Sequence, residues 1–467
     1  MLKNIFITIL LICSVSGVWG QKSVKVKVSG NVITTDGVPA EFINIQLKNT
    51  FYGGTSDGKG YFEFMAPAGQ YTMIVQSIAA HRREFPVTIE EGKENHFADI
   101  EIRENINQLE QVVVTGQFSP QSMRNSLYKV RTVNSEQIRQ KAPTSVQSLL
   151  NTEIGIRLSN DMALGETDFE LMGMSGNNVK ILLDGIPLID RGATKQSLSQ
   201  LDVNSIERVE IVEGPMSVVY GTDALAGVIN IITKKGDGYS EENTWRVGAR
   251  VQEESMGKEY DFFKDKGLHN ESIDLGFNHK SGLFVNGGYT RNNHGGWQGD
   301  LTGREKRWHP KDQALMNGMF GFQNRNMNVW YRLDFLDEKI FGPNNGSELQ
   351  PEKVSDKDFL TKRYTHQLQS DWKLDNRLDV HAALSYQDYK RRTRTTESDL
   401  STGEKWLSSA EASQDITQYK AWIARATVAW NIAPEFSVQP GVEYQWTQGE
   451  GGRIDGTPKV SDLAFFL

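Results

Sequence analysis

Little in this sequence is spaced for bond-making chemistry. The eight histidines are scattered along the 467 residues and no His-Glu-x-x-His pair occurs, so no zinc-hydrolase centre is indicated. Cys13 is the only cysteine and lies in the leading apolar run, which leaves no disulfide framework or thiol nucleophile beyond it. Gly53 to Lys59, GGTSDGK, has the spacing of a phosphate-cradling loop. Gly60, however, stands where a Ser or Thr would hold Mg²⁺, and the flanking runs predict a hairpin turning at Asp57-Gly58 instead of a strand entering a helix. The acids of SIERVEIVEG alternate along one strand face and do not converge. No catalytic residue, metal site or cofactor is therefore assigned. Two segments suggest binding. Gln111, Val112, Val113, Val114, Thr115 and Gly116 form a β-branched run in a polar stretch, and such a run can add itself as a strand to a partner's sheet edge. Lys390, Arg391, Arg392 and Arg394 fall in a predicted loop, where a solvated rim is the plain reading and attraction of an anionic chelate the other.

The length allows roughly three domains, and a hydrophobic content of 38% suffices for packed cores. Lys3, the apolar run from Ile5 to Val15 and the small residues before Gln21 predict a secretory signal at 1–20, cleaved before Gln21. Beyond it no stretch approaches the ~20 apolar residues of a spanning helix, so a membrane would be met by strands. A formal charge of −8 argues against general nucleic-acid binding.

The elements that must position the binding segments are mostly strands. Val24, Val26 and Val28 alternate with lysines and serine, and short β-prone runs follow to residue 104, which predicts a β-sandwich. Asn134 caps a predicted helix, and Ser145 to Leu150 reads as another. VKILLDGIPL, from Val179, carries a strong hairpin signal at Asp184-Gly185, with Asp184, Asp190 and Arg191 read as turn formers and surface pairs. From residue 237 amphipathic strands recur near 244–251, 271–278, 283–290, 314–323, 327–336, 364–374, 378–389, 419–432 and 435–447, with a tenth at Lys459 to Leu467. Short links alternate with long ones near 252–270, 291–313, 337–363 and 390–418, the loop sorting of an outer-membrane barrel.

The stretch VEIVEGPMSVVYGTDALAGVINIITKK, from Val209, resembles the end of the plug domain of TonB-dependent outer-membrane receptors, and VKILLDGIPL resembles its core. GNVITTDGVPAEFINIQLKN, TSDGKGYFEF and PAGQYTMIVQ resemble the carboxypeptidase-regulatory-like domain often placed ahead of it. The resemblance implies a mainly β chain: a signal peptide at 1–20, an N-terminal β-sandwich at 22–104, a TonB-box linker at 105–120 and an α+β plug at 121–236. Residues 237–467 would then be the first 9 to 10 strands of a transmembrane antiparallel β-barrel, incomplete against the roughly 22 strands of a plugged transporter. It also implies a receptor and no enzyme. Such a receptor sits in outer-membrane lipid, with its N-terminal domain and plug reached from the periplasm. It imports a scarce ligand, in the first place a ferric siderophore, with haem or a cobalamin-like ligand in the same branch. A TonB-type energy-coupling protein would bind Gln111 to Gly116. A SusC-like oligosaccharide or peptide importer working with a surface lipoprotein, or a non-transporting surface fragment, are the alternatives. Ligand-contacting residues are not assigned.

Overall fold

The computed structural model describes residues 25–34, 37–77, 80–93, 95–102, 112–113, 121–122, 129–161, 166–189, 196–216, 220–221, 224–236, 242–375, 377–433, 436–452, 454 and 456–466. The expected signal segment, Gln111, Val114 to Gly116, Asp190 and Arg191 lie outside the described residues. The chain divides into two compact units, Met1–Val112 and Val113–Leu467.

The first unit is built from two sheets. Lys25–Thr34 lies between antiparallel Tyr61–Pro67 and parallel Asn95–Ile102, and the second sheet runs in the order Gly53–Thr55, Asn44–Leu47, Gly69–Ser77, Ala80–Ile89. Period-two alternation places Val28, Val32, Ile45, Phe62, Met73 and Val75 in one core between them. The glycine-rich segment is no phosphate loop. Gly53–Thr55 is a strand, and Asp57 Oδ1 accepts from the amides of Lys59 and Tyr61, both at 2.9 Å, to close a turn into Tyr61–Pro67.

Within the second unit, residues 130–233 centre on a five-stranded sheet ordered Val130–Asn134, Ile206–Glu213, Gly227–Thr233, Val179–Leu183, Ile186–Pro187. Gly227–Thr233 pairs antiparallel with Ile206–Glu213 and parallel with Val179–Leu183, and all its residues are buried. Ile229 and Ile231 pack into one core with the helices, whereas Val228 packs on the other face with Leu182, Val212 and Met216. Helix Ser135–Lys141 begins with the expected capping residue Asn134, reciprocated by Gln137, and Ser145, expected inside the second helix, instead caps Val146–Leu150, reciprocated by Ser148.

Gly227 opens the central strand at φ 148°, and a Cβ there would lie 2.1 Å from the Val212 carbonyl oxygen. Backbone strain and overpacking combine at this position, so Gly227→Ala is expected to destabilise the sheet by about 3 kcal/mol. The urea midpoint of proteolytic susceptibility in residues 130–233 measures it, and an unchanged midpoint would show that the pairing relaxes freely.

The remainder is one large antiparallel sheet of ten successive strands: Thr244–Glu254, Leu268–Asn278, Leu283–His294, Lys311–Gln323, Met327–Gly342, Lys353–Lys373, Leu378–Asp399, Ile416–Ala433, Gly441–Gly451 and Lys459–Phe466. Two short strands, Lys405–Leu407 and Phe436–Val438, pair at its margins. Strand order follows the expected runs, but several strands are longer. The links predicted at 337–363 and 390–418 are largely strand, because Lys353–Lys373 and Leu378–Asp399 stay paired from end to end. The basic stretch 390–394 is therefore strand and not loop, and alternation turns Arg391 inward, buried, while Lys390 and Arg392 are exposed. Where both faces of a strand are polar, hydropathy carries no signal of its continuation. Among the described residues no helix is long and apolar enough to cross a membrane.

Candidate functional site: a polar wall around the central sheet

The large sheet is inside out by the standard of a water-soluble protein. Trp245, Val247, Leu275, Val285, Phe320, Leu384, Trp422 and Phe465 are exposed, whereas Gln313, Arg332, Glu338, Gln367, Gln369, Gln387 and Arg425 are buried. At roughly 25 cal/mol per Å² such an apolar belt is unfavourable in water and favourable in hydrocarbon. On Leu378–Asp399 the outward positions from Leu378 to Tyr386 are Leu378, Val380, Ala382, Leu384 and Tyr386. Spacing of about 3.3 Å per residue gives that stretch the height of the ~25 Å apolar band of an outer-membrane barrel. Aromatics mark both margins: Tyr386 packs on Trp422 with ring centroids 4.7 Å apart and Trp422 faces Trp446, while Trp430 faces Leu378 at the opposite end.

Inside, polar side chains of the wall hold the five-stranded unit. Glu338 accepts from Gln200 Nε2 at 2.9 Å and Gln313 Nε2 at 2.6 Å and pairs with Lys311 at 3.2 Å, while Gln313 also donates to the Ser199 carbonyl at 3.0 Å. Gln367, Gln369 and Gln387 donate to the carbonyls of Leu183, Asp184 and Pro187 at 3.2, 2.8 and 2.7 Å. These amides satisfy the backbone of the Asp184-Gly185 hairpin, whose turn residues take φ 50° and 83°. The hairpin is as expected, but Asp184 is no surface residue. Its carboxylate is buried, accepting from the Thr233 amide at 3.0 Å and the Thr233 hydroxyl at 2.7 Å, with Lys235 at 3.6 Å.

A second cluster surrounds Asp202, which accepts from Thr290 Oγ1 at 2.9 Å and Asn317 Nδ2 at 3.2 Å, while Arg332 donates to Ser205 Oγ at 3.2 Å. Burial pushes the Asp202 carboxyl above the usual carboxylate range even though hydrogen bonds from Asn204 and Thr290 and the charge of Arg332 oppose it. A third lies at the edge strand. Glu213 takes Lys129 at 2.9 Å and Arg131 at 2.8 Å, and Lys141 holds Glu153 at 2.6 Å. The Lys129 hydrogen bond, ahead of the charge of Arg131, holds Glu213 below its ordinary value. A depressed carboxylate contributes stability that is present above its unfolded pKa of about 4.3 and lost as pH falls through the folded value. The stability difference between the native chain and Glu213→Gln is thus expected at neutral pH and should vanish in acid. Parallel unfolding curves over pH 3 to 7 test it, and a gap that persists in acid would refute the assignment.

A segment buried within an inverted sheet by main-chain-directed amides is the arrangement of a plug in a barrel. Residues 122–228 match the model of the TonB-dependent Receptor Plug Domain, and residues 28–114 match that of the CarboxypepD_reg-like domain. Residues 122–228 are thus a plug domain of the TonB-dependent receptor type. The chain is similar in sequence to the Vitamin B12 transporter BtuB of Vibrio vulnificus (strain CMCP6), 32% identical over 139 residues, which are 30% of this chain and 23% of that one. In fold the chain is similar to Pseudomonas aeruginosa FpvA bound to heterologous pyoverdines, with a TM-score of 0.52 and 12% identity over 78% of this chain and 59% of that one. It is also similar to a mutant of the ferric enterobactin receptor PfeA from Pseudomonas aeruginosa, with a TM-score of 0.50 and 15% identity over 73% and 54%. The chain thus spans less than two thirds of these relatives. BtuB is named a transporter and PfeA a receptor, and TonB-dependent receptors are outer-membrane β-barrel proteins with a plug domain facing the periplasm.

Of the expected coupling residues, Val112–Val113 form a two-residue strand in a two-stranded sheet with Gln121–Ser122. The plug-holding residues Gln313, Glu338, Gln367, Gln369 and Gln387 were not singled out from sequence, although their alternation with lipid-facing residues was the available signal.

Proposed function

We propose that this receptor imports a ferric siderophore, and that a TonB-type energy-coupling protein binds Gln111 to Gly116 by strand addition to displace the plug. The observation that carries this reading is the wall of amides and ion pairs holding the plug inside the apolar-belted sheet. A pore occupied in this way passes a ligand only if the plug moves, and movement against so many buried contacts requires applied work. In this reading 22–104, 105–120, 121–236 and 237–467 are the working divisions of the chain, with residues 237–467 providing the wall. A siderophore is supported by the likeness to FpvA and PfeA, whose titles name pyoverdines and enterobactin. A cobalamin-like ligand is the second reading, favoured by the sequence match to the Vitamin B12 transporter BtuB. Uptake of iron-labelled siderophores and of labelled cobalamin by cells lacking their own receptors tests both. Cobalamin uptake alone would replace the first reading with the second, and uptake of neither in energised cells would overturn import.

A further inference from the structure

The outward face beyond the aromatic margin is not evenly charged. Lys362 and Lys390 face each other directly in the ladder, and the adjoining outward pair brings Arg392 opposite Leu360. Lys420 stands opposite Asp388 on the next strand. Lys362, Lys390 and Arg392 are exposed. Lys362 reaches Asp337 at 3.4 Å and Asp388 accepts from Gln418 at 2.7 Å, but among the described residues neither Lys390 nor Arg392 takes part in an ion pair. Farther along the same cross-strand row the corresponding charge is compensated, with Arg291 bound to Asp312 at 3.3 Å and opposite Glu271.

Like charges directly opposite on one face of a sheet are destabilising, so a Lys–Lys pair flanked by an arginine is a place for an anion. Its height identifies which anion. Lys362 lies two residues beyond Tyr364 and Lys390 four beyond Tyr386, roughly 7 and 13 Å of strand past the aromatic margin, where headgroup phosphates lie. Past the Tyr364–Asp388 and His366–Tyr386 pairs, Leu368 and Leu384 face each other on the same outward face as an exposed apolar strip. Exposed ammonium groups hold a free phosphate weakly, because salt screens them over about 8 Å. An anion tethered to acyl chains fits both halves of the surface at once.

We propose that Lys362, Lys390, Arg392 and Lys420 form a binding site on the lipid-facing wall for a phosphorylated lipid headgroup. The phosphate bridges the Lys362–Lys390 pair, Arg392 adds a bidentate contact, and the acyl chains lie along Leu368 and Leu384. The site rests on the placement of the apolar belt in the membrane, which the test examines separately.

The 467-residue chain, folded in detergent, is titrated with diphosphorylated lipid A, with the same lipid stripped of phosphate, and with inorganic phosphate, and retained lipid is read by native mass spectrometry. Diphosphorylated lipid A should bind at least tenfold more tightly than the stripped lipid. The triple variant Lys362→Gln, Lys390→Gln, Arg392→Gln should lose that preference, Lys362→Arg with Lys390→Arg should keep it, and Arg291→Gln should leave it unchanged. Equal binding of the stripped lipid, an unaltered preference in the triple variant, or full competition by millimolar inorganic phosphate would each overturn the proposal. Quenching of tryptophan fluorescence by brominated acyl chains reports the belt. Its absence would overturn the membrane placement and the lipid site with it, whereas quenching without phosphate preference would overturn the site alone.

Discussion

In energised cells, Val113→Pro is expected to reduce ligand accumulation by well over tenfold while leaving surface binding in the cold unchanged. Proline removes a main-chain donor and fixes φ, so a strand added to the partner's sheet loses a ladder bond of about 0.5 to 1.5 kcal/mol and cannot pair cleanly on either side. In the proposed mechanism ligand binding does not draw on this run. Val112–Val113 is already in strand conformation, so the segment is suited to a ladder before any partner arrives. The paired measurement is binding of labelled siderophore at low temperature and its accumulation at growth temperature. Normal accumulation in the variant would reduce Gln111 to Gly116 to a connecting strand.

Glu338→Ala is expected to loosen the plug by about 3 to 5 kcal/mol, the cost of leaving a buried charge without its partner. Lys311 would lose its counter-ion, and Gln200 and Gln313 would each lose an acceptor. Glu338→Gln keeps the shape and one acceptor and should cost less. Thermal unfolding together with trypsin cleavage within 130–233 reads the effect, and an Ala variant as resistant as the native chain would mean that this cluster does not hold the plug.

The strands of the wall were legible in the sequence because every second residue in the apolar belt is hydrophobic, as at Val380, Ala382 and Leu384. The extensions past the belt were not, since Lys362, Lys390 and Arg392 are as polar as their inward neighbours and leave no period to read. The hairpin at Asp184-Gly185 was legible from turn chemistry, but its burial was not. Local sequence says that a carboxylate suits the turn, and only the tertiary fold supplies Thr233 and Lys235 to neutralise it. The choice of which polar wall residues touch the plug likewise depends on pairs far apart in the chain, such as Gln387 and Pro187, 200 positions apart, whose approach no local pattern encodes.

Val130–Asn134 is the outermost strand of the plug sheet, and it runs antiparallel to Ile206–Glu213 with Val130 paired to Val212 at the end nearest the coupling segment in the chain. In the proposed mechanism, tension arriving from that segment meets the ladder at one end, so its hydrogen bonds are loaded singly, like a zipper, instead of together in shear. The clasp of Lys129 and Arg131 on Glu213 sits at the first tooth. Gly227–Thr233, paired on both sides and buried on both faces, would bear the same tension only after the edge has gone. In that mechanism a modest pull strips one margin of the plug while its centre stays folded, which confines the opening to one flank of the lumen and lets the stripped strand re-pair when the tension ends.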